Sequence, residues 1–307
     1  MNVQTNSVVP AEKGWRVWWQ LTRPHTLTAA FVPVLLGTAL AVKNNSIHIP
    51  LFLAMLFASL LIQVATNMFN EYFDYARGLD NENSVGIGGA IVRNGVKPGT
   101  VLRLGFTLFG VALLLGLYIS ASSSWWIAVI GLICMAVAYF YTGGPHPIAY
   151  TPFGELMSGF FMGVVIIQIS FFIQTGYITN VSILVSIPVS ILIGTIMLAN
   201  NIRDLDGDQK NGRKTLAILV GRQNAIKLLA GMFIVSYSWI VLLILFTDTS
   251  PWLLITFISI PKALKAVRGF IGKTEPLQMM PAMKATAQTN TIFGFLMSIG
   301  LFIGYFL

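Results

Sequence analysis

Charge is scarce in this sequence. Of 307 residues, 10% are Asp, Glu, Lys or Arg, against roughly 25% in an average soluble domain. A soluble chain must cover itself with polar side chains, whereas a chain in lipid keeps only the charges it uses. With 55% of its residues hydrophobic, the composition describes a polytopic integral membrane protein, expected to be all-α from the apolar runs below, and excludes a water-soluble core and shell. Cysteine is nearly absent: Cys134 stands alone, so neither an intrachain disulfide nor a thiolate metal cluster can form. Histidine is sparse too, and His25, His48 and His146 have no paired-ligand spacing, which argues against zinc. The first 24 residues lack the apolar stretch and cleavage site of a secretory signal, so the bilayer segments themselves are expected to direct insertion.

What is present is a series of apolar runs near the ~20 residues that cross about 30 Å of hydrocarbon. Nine are expected, at roughly 25–43, 49–70, 101–120, 125–142, 153–174, 181–201, 226–246, 252–270 and 289–307. Turn residues separate them, among them Lys43-Asn44-Asn45-Ser46 and Thr142-Gly143-Gly144-Pro145. The eighth is the least regular, because Lys262, Lys265 and Arg268 fall in its second half and should reach toward the interface. With the N-terminus inside, 18 of the 19 basic residues lie on inner segments and only Lys43 lies outside, so the basic surplus reports membrane orientation. A nucleic-acid partner is therefore not expected. The organisation read from this is an N-terminal cytoplasmic, interfacial segment over 1–24 and one transmembrane domain over 25–307, with the C-terminus outside. The stretch from Lys13 to Trp19 mixes cations with indoles, as an inner-face anchor or a gate for a lipid substrate would.

The acids are more informative. Seven of eleven fall in two short windows: Glu71, Asp74, Asp80 and Glu82, then Asp204, Asp206 and Asp208. Each window sits at the inner end of an even-numbered span, so both face the same aqueous side. Asn70 and Asp74 are four residues apart, as are Asn200 and Asp204, and that spacing stacks side chains on one helical face. Asp208 extends the second stripe, while Gly78 permits the first helix to end so that a loop returns Asp80. The pattern suggests two half-repeats delivering carboxylates to a shared cavity.

Clustered carboxylates at the edge of a low-dielectric cavity repel one another unless a cation intervenes, and an all-oxygen set suits Mg²⁺. Mg²⁺ keeps few protein ligands and fills its other positions with water and substrate phosphate oxygens. Arg77, Arg93, Lys97, Arg203, Arg213 and Lys214 are the basic residues nearest the windows, and guanidinium forks match phosphate oxygens. Together these imply a metal-bridged pyrophosphate at the membrane edge with its organic tail in the bundle. Two other readings are a solvated acidic surface and a cation-coupled transporter. The transporter is disfavoured because ion paths usually lie near the midplane, where only Glu155 approaches a span.

At these residues the sequence resembles the UbiA superfamily of membrane prenyltransferases, and within it the branch that prenylates 1,4-dihydroxy-2-naphthoate. The first window reads Asn70-Glu71-Tyr72-Phe73-Asp74-Tyr75-Ala76-Arg77-Gly78-Leu79-Asp80. The second reads Asn200-Asn201-Ile202-Arg203-Asp204-Leu205-Asp206-Gly207-Asp208, followed by Gly212-Arg213-Lys214-Thr215-Leu216. Further stretches agree at Arg23-Pro24-His25-Thr26-Leu27, Tyr141-Thr142-Gly143-Gly144-Pro145 and Pro281-Ala282-Met283-Lys284. The resemblance implies nine transmembrane helices around a central cavity in the cell membrane, with the site opening to the cytoplasm. It implies that Asp74, Asp80, Asp204 and Asp208 hold Mg²⁺ against the diphosphate of a polyprenyl diphosphate, supported by Asn70 and Asn200. Arg203 would contact phosphate or lock Asp204, with Arg77, Arg93 and Lys214 as further phosphate candidates. The acceptor implied is dihydroxynaphthoate, with 4-hydroxybenzoate as the alternative. Glu71 replaces the usual Asp of the pattern and is not assigned as a ligand; Glu155 also departs from it. Tyr72, Phe73, Tyr139 and Phe140 are read as packing residues, and Tyr141 as the aromatic most suited to shielding a carbocation.

Overall fold

The computed structural model describes residues 14–43, 47–80 and 89–306. Lys13, the Asn44-Asn45-Ser46 turn and Glu82 lie outside the described residues. Among those described the chain is all helical, without a strand. The helices are α1 (Trp15–Leu21), α2 (Thr28–Ala41), α3 (Ile49–Ala76), α4 (Pro98–Ser122) and α5 (Trp126–Phe140). The short α6 (Gly154–Ser158) passes through a π-helical stretch, Gly159–Val165, into α7 (Ile166–Thr175). There follow α8 (Asn180–Lys210), α9 (Leu216–Val220), α10 (Arg222–Phe246), a 3-10 stretch Pro251–Ser259, α11 (Ile260–Phe270) and α12 (Pro276–Phe306).

Six of these are long and apolar enough to cross a membrane: α3, α4, the continuous Gly154–Thr175, α8, α10 and α12. The helices Thr28–Ala41 and Trp126–Phe140 are shorter apolar ones. All nine apolar runs of the sequence fall on helical structure, but three helices outrun them. Helices α3 and α8 continue through Ala76 and Lys210, which keeps Glu71 and Asp74 of the first window and all three acids of the second on helix. Helix α12 begins at Pro276 and not near 289, because its polar stretch satisfies itself: Thr286 and Thr289 donate to the carbonyls of Ala282 and Ala285, at 3.0 and 2.8 Å. The eighth run divides into the 3-10 stretch and α11, whose Ala263, Ala266 and Phe270 are buried while Lys265 and Arg268 are not.

Helix α8 is the spine of the bundle. Its start is fixed by a capping box in which Thr179 Oγ1 accepts from the Ser182 N–H and Ser182 Oγ accepts from the Thr179 N–H, at 3.0 and 3.2 Å. Pro188 lies inside it and cannot donate to the carbonyl of Leu184. The Trp239 indole N–H of α10 donates to that carbonyl instead, at 2.9 Å, so no backbone acceptor is stranded there. The largest buried cluster gathers around this spine, including Leu192, Ile193, Leu198 and Ile202 of α8 with Phe233 and Phe293. That packing holds α8 against α12, with the C-terminal end of α8 beside the C-terminal end of α3.

Candidate active site

The first acidic window closes on itself. Beyond α3 the chain turns at Gly78, whose φ of 71° is readily adopted only by glycine. The turn lets the N–H groups of Leu79 and Asp80 donate back to the Asp74 carbonyl, at 2.9 and 3.4 Å, so Asp80 is returned beside Asp74. Burial, reinforced by the charges of Asp74 and Glu71, pushes the Asp80 carboxyl up to about 6. Glu71 is 1% exposed and acts as a clamp: its Oε1 accepts from the N–H groups of Gly89 and Ile91, at 2.7 and 3.3 Å, and its Oε2 lies 3.5 Å from Arg23. Arg93 packs its guanidinium over Gly89, close enough to Asp80 to bear on its charge. His25, between Arg23 and the start of α2, is pulled down to about 4 by burial and then by Arg23 and Arg203, so its imidazole is neutral near pH 7.

The second window is held by its own arginines. Arg203 grips Asp204 with two bonds, Nε to Oδ1 at 2.6 Å and Nη2 to Oδ2 at 2.5 Å. Its remaining Nη1 reaches the sulfurs of Met283 and Met280 on α12, at 3.0 and 3.5 Å. Arg203 therefore locks Asp204 to the bundle. Asp206 pairs with Arg222 at 2.9 Å on the exposed side.

The two windows meet at Arg213. Gly212, with φ of 75°, turns the chain after α8 so that this side chain folds back across the last turn. Its Nη2 lies 2.8 Å from Asp74 Oδ1 and its Nη1 3.0 Å from Asp208 Oδ1. Burial works against the Arg213 charge, but Asp208 and Asp74 outweigh it and hold the guanidinium above its ordinary range. A third segment completes the site. Arg77 donates to the carbonyls of Thr142 and Gly144, and both Arg77 and Arg213 lie over the Tyr150 ring, at 5.4 and 4.9 Å from its centre. The loop after α5 is thus tied to both windows.

Beside this polar end lies a cavity of about 250 Å³ walled by α2 to α5, the π-helical region and α8. Asn70, Asn200 and Tyr141 line it near the acids. On α3, Met55, Ser59, Ile62, Thr66 and Asn70 face it at three- and four-residue spacing, a run of about 22 Å at 1.5 Å per residue. Ile119 and Ile127 stand at its far end, and Gly116 and Gly131 also line it.

Not every expected residue stands where the sequence suggested. Among the described residues no three His, Cys, Asp or Glu side chains converge on a metal position. Asp74 and Asp208 share one guanidinium, Asp80 returns beside Asp74, and Asp204 faces Arg203. The reason is charge balance: close carboxylates need compensation, and Arg203 and Arg213 supply it. The donor set nevertheless fits a hard cation, being all oxygen and grouped at one cavity mouth. Arg77 donates to two backbone carbonyls and ties down the Gly-Gly loop. Lys214 contributes its backbone N–H to the Tyr150 carbonyl at 2.9 Å. Arg213 as a bridge, Tyr150 and the clamp role of Glu71 are not apparent from the sequence. Arg213 at least carried a signal, lying one residue beyond a glycine at the end of the acidic stripe.

A model of the UbiA prenyltransferase family matches residues 30–292, more than half of the chain. The chain belongs to the UbiA prenyltransferase family. Both acidic windows, Arg213 and Tyr150 lie within the matched region. Among its UbiA relatives, the chain is 61% identical to the 1,4-dihydroxy-2-naphthoate octaprenyltransferase of Bacillus subtilis (strain 168), over 95% of this chain and 94% of that protein. It is 29% identical to the Mycobacterium tuberculosis protein of the same name, over 88% and 91%. Its fold is similar to a UbiA homologue from Archaeoglobus fulgidus solved with DMAPP and Mg²⁺ (TM-score 0.60, 15% identity, 92% of this chain and 99% of that one). The apo structure of a homologue from Aeropyrum pernix K1 is similar also (TM-score 0.68, 13% identity, 91% and 98%).

Proposed function

We propose that this chain is a Mg²⁺-dependent prenyltransferase that moves a polyprenyl group from polyprenyl diphosphate to 1,4-dihydroxy-2-naphthoate in menaquinone biosynthesis. The observation that carries the reading is the meeting of two acidic windows, Asp74 with Asp208, at the mouth of an apolar cavity. The identity to the Bacillus subtilis naphthoate octaprenyltransferase supports the acceptor, and the homologue solved with DMAPP and Mg²⁺ supports the donor and the metal. Asp74, Asp80, Asp204 and Asp208 would hold the metal, with Asn70 and Asn200 in support. Bound there, Mg²⁺ supplies Lewis-acid stabilisation of charge on the leaving diphosphate.

The remaining work falls to the chain. The polar end fixes the diphosphate, and the cavity takes the tail. The allylic C–O bond breaks and pyrophosphate leaves with the electron pair. The apolar walls keep water from the cation that results, and Tyr141 offers it a ring face. The electron-rich naphthoate ring attacks to form the new C–C bond, and carbon dioxide is lost from the same carbon, giving a demethylmenaquinol. Nine crossings, with the N-terminus and the site on the cytoplasmic side of the cell membrane, complete the reading, and the basic-residue asymmetry supports that orientation.

The test supplies purified protein with labelled polyprenyl diphosphate and either dihydroxynaphthoate or 4-hydroxybenzoate, with and without EDTA. The expected product forms from dihydroxynaphthoate and disappears with EDTA. Product from 4-hydroxybenzoate alone would overturn the acceptor, and ion-dependent vesicle uptake without any product would favour a transporter.

A further inference from the structure

Arg213 occupies a place that the proposed chemistry requires for something else. Its two terminal nitrogens are bonded to Asp74 Oδ1 and Asp208 Oδ1, oxygens of two carboxylates assigned above to the metal. Its Nε is buried and has no partner among the described residues, although a guanidinium is a five-donor fork suited to phosphate oxygens. The backbone of this segment is fixed independently of the side chain. The Arg213 N–H donates to the Asp208 carbonyl at 3.0 Å and the Lys214 N–H to the Tyr150 carbonyl at 2.9 Å. The Tyr150 ring lies 4.9 Å from the guanidinium and carries Arg77 as a second cation. Arg213 is therefore a fork on a fixed stem, stacked on an anchored aromatic platform.

We propose that Arg213 is an exchangeable counter-ion: it holds Asp74 and Asp208 together before substrate arrives, and swings onto the diphosphate when Mg²⁺ takes over those carboxylates. The inference rests on the reading of the site as a metal–diphosphate site. It goes beyond it by giving one arginine two successive partners. The exchange keeps charge compensated throughout, since the carboxylates pass from one cation to another while the guanidinium passes from carboxylate to phosphate. It also couples the two ligands, because the fork is freed for phosphate only when the acids have been taken by metal. Tyr150 is a positioning residue in this scheme.

Two measurements on the purified full chain test it. The first is thermal unfolding of the wild type, Arg213→Gln and Arg213→Lys in EDTA and in Mg²⁺. Arg213→Gln should unfold at lower temperature than wild type in EDTA and recover most of the loss in Mg²⁺, whereas Arg213→Lys, which keeps the charge, should stay near wild type in both. The second is binding of inorganic pyrophosphate in saturating Mg²⁺. Both variants should bind it at least about tenfold more weakly, a loss of about 1.4 kcal/mol, because Lys cannot reproduce the fork. An equal thermal loss for Arg213→Gln with and without Mg²⁺, or unchanged pyrophosphate affinity, would overturn the exchange and leave Arg213 a fixed clamp. Neither assay involves an aromatic acceptor, so failure of the acceptor assignment would leave both results interpretable.

Discussion

Replacing Glu71 probes the clamp that positions the first acidic window. This carboxylate is 1% exposed and receives two backbone N–H groups, Gly89 at 2.7 Å and Ile91 at 3.3 Å, with Arg23 at 3.5 Å. A hydrogen bond to a charged group contributes about 1.5–3 kcal/mol, and removing one partner of a buried pair costs about 3–5 kcal/mol. The 3.3 Å bond is the weaker of the two, and Arg23 retains 17% side-chain exposure, so water recovers part of its loss. Glu71→Ala should therefore cost about 3 kcal/mol, at the lower end of that range. The loss is local, because it releases the segment after residue 88 from α3. Converted at 1.4 kcal/mol per factor of ten, hydrogen exchange of the Gly89 and Ile91 amides should accelerate roughly hundredfold. Glu71→Gln keeps an acceptor for Gly89 and loses only the charge, and should accelerate exchange about tenfold. Mass-spectrometric exchange in detergent checks both, with a peptide from the middle of α10 as internal control. Unchanged exchange at 89–91 in Glu71→Ala would refute the clamp. Equal acceleration in α10 would mean that the variant loosens the whole bundle instead.

Asp80 gives a pH signature. Its folded carboxyl is raised to about 6, so its contribution to stability is fully present below about pH 4, its unfolded range, and is lost as pH rises through about 6. In EDTA the wild type should therefore lose thermal stability relative to Asp80→Asn between those pH values, and parallel profiles would contradict the burial of this group. Gly116 lines the cavity with nothing within 4 Å of where a Cβ would stand. Gly116→Trp should fold but cut turnover of long prenyl donors by about tenfold relative to short ones, the scale on which apolar pockets discriminate; equal loss for all lengths would place the tail elsewhere. Trp239→Phe leaves the Leu184 carbonyl opposite Pro188 without its donor, which costs about 1–3 kcal/mol. The melting temperature should fall while KM for both substrates stays unchanged, and a changed KM would mean that α10 acts on the site directly.

The membrane character of the fold was legible because bilayer thickness imposes a length on every apolar run, and no soluble architecture matches that pattern. Helix ends were less legible. Ala76, Lys210 and Pro276 lie beyond the apolar runs, in polar stretches whose side chains bond back to their own helix or to neighbouring segments. Hydrophobicity does not register such satisfaction. Asp74 and Asp208 could be singled out because acids are so few, and because four-residue spacing sets Asn70 with Asp74, and Asn200 with Asp204 and Asp208, on one helical face each. Their partner could not be found the same way. Arg213 reaches Asp74 only through the turn at Gly212 and the packing of the bundle, a contact between distant parts of the chain. Tyr150 carried no signal, since its role is to lie against two arginines drawn from two different segments. The contacts of Arg77 were not legible either, since only the folded loop after α5 brings the carbonyls of Thr142 and Gly144 within its reach.

The central claim is that the two acidic windows form one metal–diphosphate site serving prenyl transfer. Its most direct test is the formation of prenylated product from labelled polyprenyl diphosphate and dihydroxynaphthoate by wild type, Asp74→Asn and Asp204→Asn, each inserted in membranes to the same level and titrated with Mg²⁺. The account predicts Mg²⁺-dependent product from wild type and none from either variant at any Mg²⁺ concentration. Turnover comparable to wild type by either variant would contradict it.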